Sequence, residues 1–206
     1  MIEARHHPLY ERFFGAYTGL KMRRHFSSWD IEGRFTDGGK AVLLVGNHFS
    51  WWDGFIGQKL ADRVFHRKIH VMMLEEQLSG RRFLSRLGAF SIRPGSRDAL
   101  NSLRYATELL QNPGNLLLLF PQGRFESHHQ FPLHFERGWF RIALGAPPET
   151  HLVFAANLTD WFASPRPRLF TYLQQHELGD FDDAGRLENA YNDFLGNAIG
   201  QQNQRI

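Results

Sequence analysis

The segment Ala41-Val-Leu-Leu-Val-Gly46-Asn47-His48-Phe-Ser-Trp-Trp-Asp53 decides how the rest of the chain is read. Its first five residues form an apolar run of strand length, which Gly46 ends. His48 is then released into what the pattern predicts as the start of a helix. Asp53 lies five residues further on, so a chain that turns helically after His48 returns the carboxylate to the same end of that turn. An imidazole with a carboxylate on one nitrogen has its tautomer fixed and its other nitrogen free to take a proton. Such a pair can deprotonate an alcohol.

A second histidine and aspartate stand at the same spacing, in His25-Phe-Ser-Ser-Trp-Asp30. In a chain with 11 histidines, one more such pair by chance is unsurprising. Context separates them. His25 follows Lys21-Met-Arg-Arg on a cationic, helical stretch with no strand before it. His48 follows an apolar strand, at the carboxyl end where open α/β sheets place their sites.

Outward from this segment, short apolar strands and helices alternate. Strands are predicted over Ile31–Phe35, Ala41–Val45, Ile69–Leu74, Ala89–Ile92 and Asn115–Phe120, with Arg166-Pro-Arg168 leading into an edge strand. Helices are predicted over Trp51–Ala61, Glu75–Leu87 closed by Gly88, Ser96 to about Gln111, and Ala184–Gly200, where Leu187, Ala190, Tyr191 and Leu195 face inward. The expectation is an α/β fold: a central, largely parallel sheet flanked by helices, with an N-terminal amphipathic helix. Three strands end in polar features, Asn47-His48, Arg93 and Gln122-Gly123-Arg124, and a parallel sheet brings such ends to one edge.

Length suits one domain over residues 1–206, with residues 1–30 as a helical, membrane-facing segment. In Pro8–Phe26 the residues Leu9, Phe13, Phe14, Tyr17, Leu20 and Met22 supply an apolar side, and Arg12, Lys21, Arg23 and Arg24 a basic one. That composition fits a helix lying in a membrane interface or one packed on the protein's own core, and Gly15 and Gly19 weaken it either way. No stretch has the eighteen or so apolar residues that a spanning helix needs, and no secretory leader is visible. The chain has no cysteine, which excludes disulfides, thiolate nucleophiles and zinc–thiolate sites. The basic residues are not interleaved with base-stacking aromatics, so nucleic acid is not an expected partner.

His128-His129 with His134 lack a carboxylate or cysteine at a recognised ligand spacing and read as an exposed loop group, so no metal is expected. His66 and His70 read as surface residues. Trp51, Trp52, Phe55, Trp139, Phe140, Trp161 and Phe162 read as core, or as the lining of an acyl groove or membrane face.

Three ordered blocks resemble the glycerolipid acyltransferases of the lysophosphatidic acid acyltransferase type. Asn47-His48-Phe-Ser-Trp-Trp-Asp53 is similar to the family's NHxxxxD signature. Gly88-Ala-Phe-Ser-Ile-Arg93 resembles the block in which a strand delivers an arginine. Phe120-Pro121-Gln122-Gly123 resembles a third block, usually Phe-Pro-Glu-Gly. The resemblance spans roughly Ile31 to Tyr172. It implies transfer of a fatty acyl group from acyl-CoA or acyl carrier protein, as co-substrate and with no bound cofactor, to a lipid hydroxyl. His48 would act as general base and Asp53 would orient it. Arg93 would bind an anionic part of the substrate, with Gln122, Gly123 and Arg124 completing the substrate site, and backbone N–H groups near Gly123 facing the oxyanion or the acceptor. The implied setting is cytoplasmic, peripheral on the inner face of the membrane.

The chain departs from that pattern in three places. Gln122 stands where the family usually has Glu. The third block's arginine normally comes two residues after its glycine, where this chain has Phe125, with Arg124 one earlier. The fourth block corresponds loosely to Leu152-Val-Phe-Ala-Ala. These departures point to an acceptor other than lysophosphatidate, a glycolipid or other hydroxylated lipid. The alternative is a catalytically silent relative that binds lipid or a partner.

Overall fold

The computed structural model describes residues 1–205. The chain opens with α1 (Pro8–His25), β1 (Trp29–Glu32), β2 (Val42–Gly46) and α2 (Asp53–Leu60), which runs on into a π-type turn over Ala61–Phe65. Then come β3 (Lys68–Leu74), α3 (Glu75–Ser79), a 3-10 turn over Arg82–Leu87, β4 (Ala89–Ile92), α4 (Ala99–Leu109) and β5 (Asn115–Leu119). The chain continues through α5 (Phe140–Gly145), β6 (His151–Asp160), β7 (Arg168–Glu177) and α6 (Ala184–Asn203). The strands form one sheet in the order β1-β7-β6-β2-β5-β3-β4. Every neighbouring pair is parallel except β6 with β7. This is the α/β fold that the alternating pattern implies.

Strand β2 is apolar throughout because both faces of the sheet are covered. Side chains alternate, so Val42 and Leu44 join one core with Ile56, Leu60, Phe65 and Met22, on the α1 and α2 side. Leu43 and Val45 join the other, with Leu103, Ala106, Ile142, Tyr191 and Leu195 from α4, α5 and α6. Strand β5 divides in the same way, Leu116 and Leu118 to one face and Leu117 and Leu119 to the other. Helix α2 lies close on the sheet through Gly57, where a Cβ would come within 2.3 Å of Leu118 Cδ2. The strand–turn–helix that carries His48 is thereby held from both sides.

Several elements differ from the sequence expectation. Strand β1 begins at Trp29 and stops at Glu32, because Gly33, at φ +96, crosses Leu173 so closely that a Cβ would lie 2.1 Å from its carbonyl oxygen. The helix expected over Glu75–Leu87 is broken after Ser79 and resumes as the 3-10 turn. Strand β4 pairs with the last four residues of β3, so the chain has to travel back only about 13 Å, whereas a continuous helix would run about 20 Å. Helix α4 starts at Ala99, because the Ser96 hydroxyl bonds back to the Arg93 carbonyl instead of capping the helix. Strand β7 is not an edge: it lies between β1 and β6.

Helix α1 also divides its apolar residues differently from the expectation. Phe14 stacks on Phe83 and Met22 is buried, and Lys59 Nζ reaches the Gly15 carbonyl at 2.7 Å. Thr18 is buried on the same side, and Gly15 and Gly19 face the end of the Lys59 side chain. Leu9, Phe13, Tyr17 and Leu20 point outward as an exposed stripe. Among the described residues no helix is long and apolar enough to cross a membrane.

His70, read from sequence as a surface residue, is buried on β3 with its ring edge-on to His6, while His66 is exposed. Burial, aided by His6 and Lys68, lowers His70 to about 4. Burial also lowers His128 to about 4. In the unfolded chain both histidines take up a proton below about 6.5, whereas the folded chain resists until far lower pH. Stability should therefore fall as pH drops from 7 toward 5. Thermal unfolding across that range should show a falling midpoint and a shallower fall in His70→Gln; a midpoint that is flat or rises toward pH 5 would contradict this.

Candidate active site

The site begins where β2 stops pairing. After Gly46, opposite Ala155, the Asn47 side chain takes over the ladder. Its amide donates to the Asn157 carbonyl at 2.9 Å, and its carbonyl accepts the Asn157 N–H at 2.8 Å. A side chain that satisfies both backbone groups of the neighbouring strand frees the main chain to leave the sheet at His48. The bonding continues sideways. Thr171 donates to the Asn157 side chain at 2.7 Å, and Trp29 Nε1 donates to Thr171 at 3.0 Å. A buried polar chain thus crosses from β1 to β2 and fixes the point of departure.

His48 and Asp53 meet as their spacing implies. His48 Nδ1 lies 2.8 Å from Asp53 Oδ2, and the same oxygen accepts the backbone N–H groups of Phe49 at 2.8 Å and Ser50 at 2.9 Å. The carboxylate sits in the first turn of α2, where helix N–H groups favour negative charge. The carboxylate assigns the proton to Nδ1 and leaves the Nε2 lone pair free. Burial pushes the Asp53 carboxyl up from its ordinary value, opposed by the His48 bond and by the Ser50 and Phe49 amides. The Asp53 side chain is fully buried, and that of His48 is 21% exposed. This imidazole can exchange a proton with a bound molecule.

Two aromatic rings hold the imidazole. Phe120 stacks on it at 4.2 Å and 12°, and Phe125 lies at 4.1 Å and 31°. Two rings so near and so nearly parallel cannot share one face, so His48 is sandwiched.

The loop after β5 grips the His48 backbone at both ends. Gln122 Oε1 accepts the His48 N–H at 2.6 Å, and the Glu126 N–H donates to the His48 carbonyl at 2.8 Å. Gln122 Nε2 then donates to Glu126 Oε2 at 2.8 Å. Arg124 Nε and Nη2 both donate to Glu126 Oε1 at 3.1 Å. Gly123 makes the turn possible with φ +69, and its N–H is used within the turn, on the Phe120 carbonyl. The N–H of Gly123 itself is therefore engaged by the fold. Glu126, Asn157 and Thr171 were not anticipated from sequence. For Glu126 a signal existed: a carboxylate four residues after Gln122.

Arg93 directly follows β4, on the same edge as His48, but β4 is three places from β2, roughly 14 Å away at ordinary strand spacing. Its guanidinium is paired with Glu75, and no bond joins it to the His48 cluster. The second histidine–aspartate pair does not form: His25 is exposed and packs on Phe26 and Trp52, while Asp30 bonds with Ser28 and Arg168. His129 and His134 are exposed and His128 packs on Phe49; among the described residues no group of three or more metal-ligating side chains exists. Trp139 and Phe140 are core, whereas Trp51, Trp161 and Phe162 are exposed.

A family model described as Acyltransferase matches residues 21–155, a span that contains His48, Asp53, Arg93, Gln122, Gly123 and Arg124. No curated protein matches the chain. Among solved structures, the crystal structure of the 1-acyl-sn-glycerophosphate (LPA) acyltransferase PlsC from Thermotoga maritima superposes with a TM-score of 0.69. The alignment covers 95% of this chain and 80% of that chain at 16% identity, so the likeness is one of fold.

Proposed function

The chain belongs to the acyltransferase family, and from that premise we propose that it moves a fatty acyl group from an acyl thioester, acyl-CoA or acyl carrier protein, to the hydroxyl of a lysophospholipid, glycolipid or related lipid. The observation that carries the proposal is the His48 Nδ1–Asp53 bond of 2.8 Å at the end of the central strand, with the ring clamped between Phe120 and Phe125. His48 Nε2 takes the acceptor hydroxyl proton as its oxygen attacks the thioester carbonyl. The C–S bond then breaks, and the proton passes to the departing thiolate, so one ester and one thiol result. Asp53 orients the ring and offsets the charge of the imidazolium. With no cysteine in the chain, direct transfer needs no thiol ester on the protein.

Supporting roles are assigned by position. Gln122 and Glu126 hold the His48 peptide, and Gly123 shapes their turn. Arg93 stands about three strand spacings away, which suits a phosphate on the arm of a carrier better than the reacting hydroxyl. The exposed stripe of Leu9, Phe13, Tyr17 and Leu20, with Arg12, Lys21, Arg23 and Arg24 on the same helix, suits a peripheral position on the inner face of a membrane. Trp51, Phe125, Trp161 and Phe162, exposed at the carboxyl edge of the sheet, fit the same surface. The silent-relative reading has less support, since the base and its carboxylate are bonded and the ring is accessible.

The test is incubation with labelled acyl-CoA and labelled acyl carrier protein in vesicles of a total lipid extract, with the product identified by mass spectrometry. One of the two donors should yield a new acyl ester together with free thiol. Absence of transfer from both would overturn the proposal.

A further inference from the structure

We propose that Phe125 selects the acceptor, and that the group beside the acceptor's reacting hydroxyl is uncharged, as in a sugar or neutral glycerolipid rather than a phosphate monoester. The assignment rests on the acyl-transfer reading above and narrows its substrate class. Phe125 is 54% exposed, although its ring lies 4.1 Å from the His48 imidazole. It therefore presents an apolar face to anything that approaches the base. This position offers no cationic side chain to a ligand.

The neighbouring cation does not replace it. Arg124, with its side chain 78% exposed, turns both Nε and Nη2 onto Glu126 Oε1. The other oxygen of that carboxylate is fixed by Gln122, and the Glu126 side chain is only 13% exposed. Displacing Arg124 toward a phosphate would leave a mostly buried carboxylate with one partner fewer, close to a ligand dianion. Glu126 is also tied to the reacting residue, since its N–H bonds to the His48 carbonyl. Its carboxylate is held in turn by Gln122 Nε2, and Gln122 Oε1 accepts the His48 N–H, so moving the negative charge disturbs the support of the base. Arg93, the other guanidinium of the blocks, is paired with Glu75. An acceptor with an uncharged, partly apolar surface beside its hydroxyl meets none of these costs and can pack on the Phe125 ring.

The experiment compares two acceptors of equal acyl chain, a lysophosphatidate and the corresponding monoacyl glycosyl glycerol, with one labelled acyl donor that the lipid-extract assay has shown to be used. Wild-type enzyme should favour the uncharged acceptor at least tenfold in kcat/KM. Phe125→Arg should move the ratio of phosphorylated to uncharged acceptor upward by at least tenfold, while Phe125→Leu should slow both without inverting the preference. Thermal unfolding of each variant checks folding, and the wild-type ratio tests the assignment even where a variant does not fold. A wild-type preference for lysophosphatidate, or a ratio unmoved in folded Phe125→Arg, would overturn it. Absence of transfer to every lipid in the extract would instead count against acyl transfer itself, so the two failures are distinguishable.

Discussion

Replacing His48 by alanine should lower acyl transfer about 1,000-fold while leaving the thermal unfolding midpoint within a few degrees of wild type. The magnitude follows from the single task the residue is given, removal of a proton from the acceptor oxygen, which corresponds to about 4 kcal/mol of barrier. The fold should tolerate the change. The ring is partly exposed, and the bonds that hold the segment come from the His48 backbone to Gln122 and Glu126, which alanine keeps. His25→Ala in the same assay should lose little, because His25 has no carboxylate partner and lies outside the clamped segment. A comparable loss at His25, with His48→Ala still active, would mean that the wrong histidine has been given the role.

Asp53→Asn should separate activity from stability. An asparagine with its carbonyl at the Oδ2 position can still accept from His48 Nδ1 and from the Phe49 and Ser50 amides. Its NH2 group would then occupy the place of Oδ1, which is buried and makes no hydrogen bond. What is lost is the negative charge that offsets the imidazolium, so kcat should fall about 1,000-fold with a much smaller change in KM. The sign of the stability effect follows from the raised Asp53 carboxyl. The folded chain holds that proton more tightly than the unfolded one, so the ionised group costs stability at neutral pH, and the cost fades as pH falls through the folded value. Removing the charge should leave the unfolding midpoint near wild type at pH 7, against the cost of one unpaired buried amide. Steady-state kinetics beside unfolding curves make the check; a collapse of the midpoint with normal kcat in the surviving fraction would assign Asp53 to folding alone.

Much of this arrangement is legible in the sequence. The run from Ala41 to Val45 has no polar residue because the sheet is covered on both faces, and both Leu43 and Leu44 are fully buried. Asp53 could be paired with His48 because five residues of chain leave few ways to separate them after a strand end. What escaped the sequence is what depends on distant partners. Asn157 lies 110 positions from Asn47, and nothing local marks the backbone groups that the Asn47 side chain satisfies. Helix α1 contains apolar residues on more than one side, so its inward face is chosen by distant partners, Phe83 for Phe14, the α2-side core for Met22 and Lys59 for the Gly15 carbonyl. The break after Ser79 follows from how far β3 and β4 overlap, a tertiary quantity. His70 reads as polar and therefore exposed, yet the sheet buries it beside His6.

The most direct measurement is a single-turnover experiment with enzyme in excess over a labelled acyl thioester and a saturating lipid acceptor. Samples are quenched over time, and the label is counted as thioester, as protein-bound acyl and as acceptor ester. If His48 activates the acceptor for direct attack, label should pass from thioester to ester with no protein-bound acyl at any time, about 1,000-fold more slowly in His48→Ala. A protein-bound acyl species that forms and decays at the rate of turnover, or an unchanged rate in His48→Ala, would contradict it.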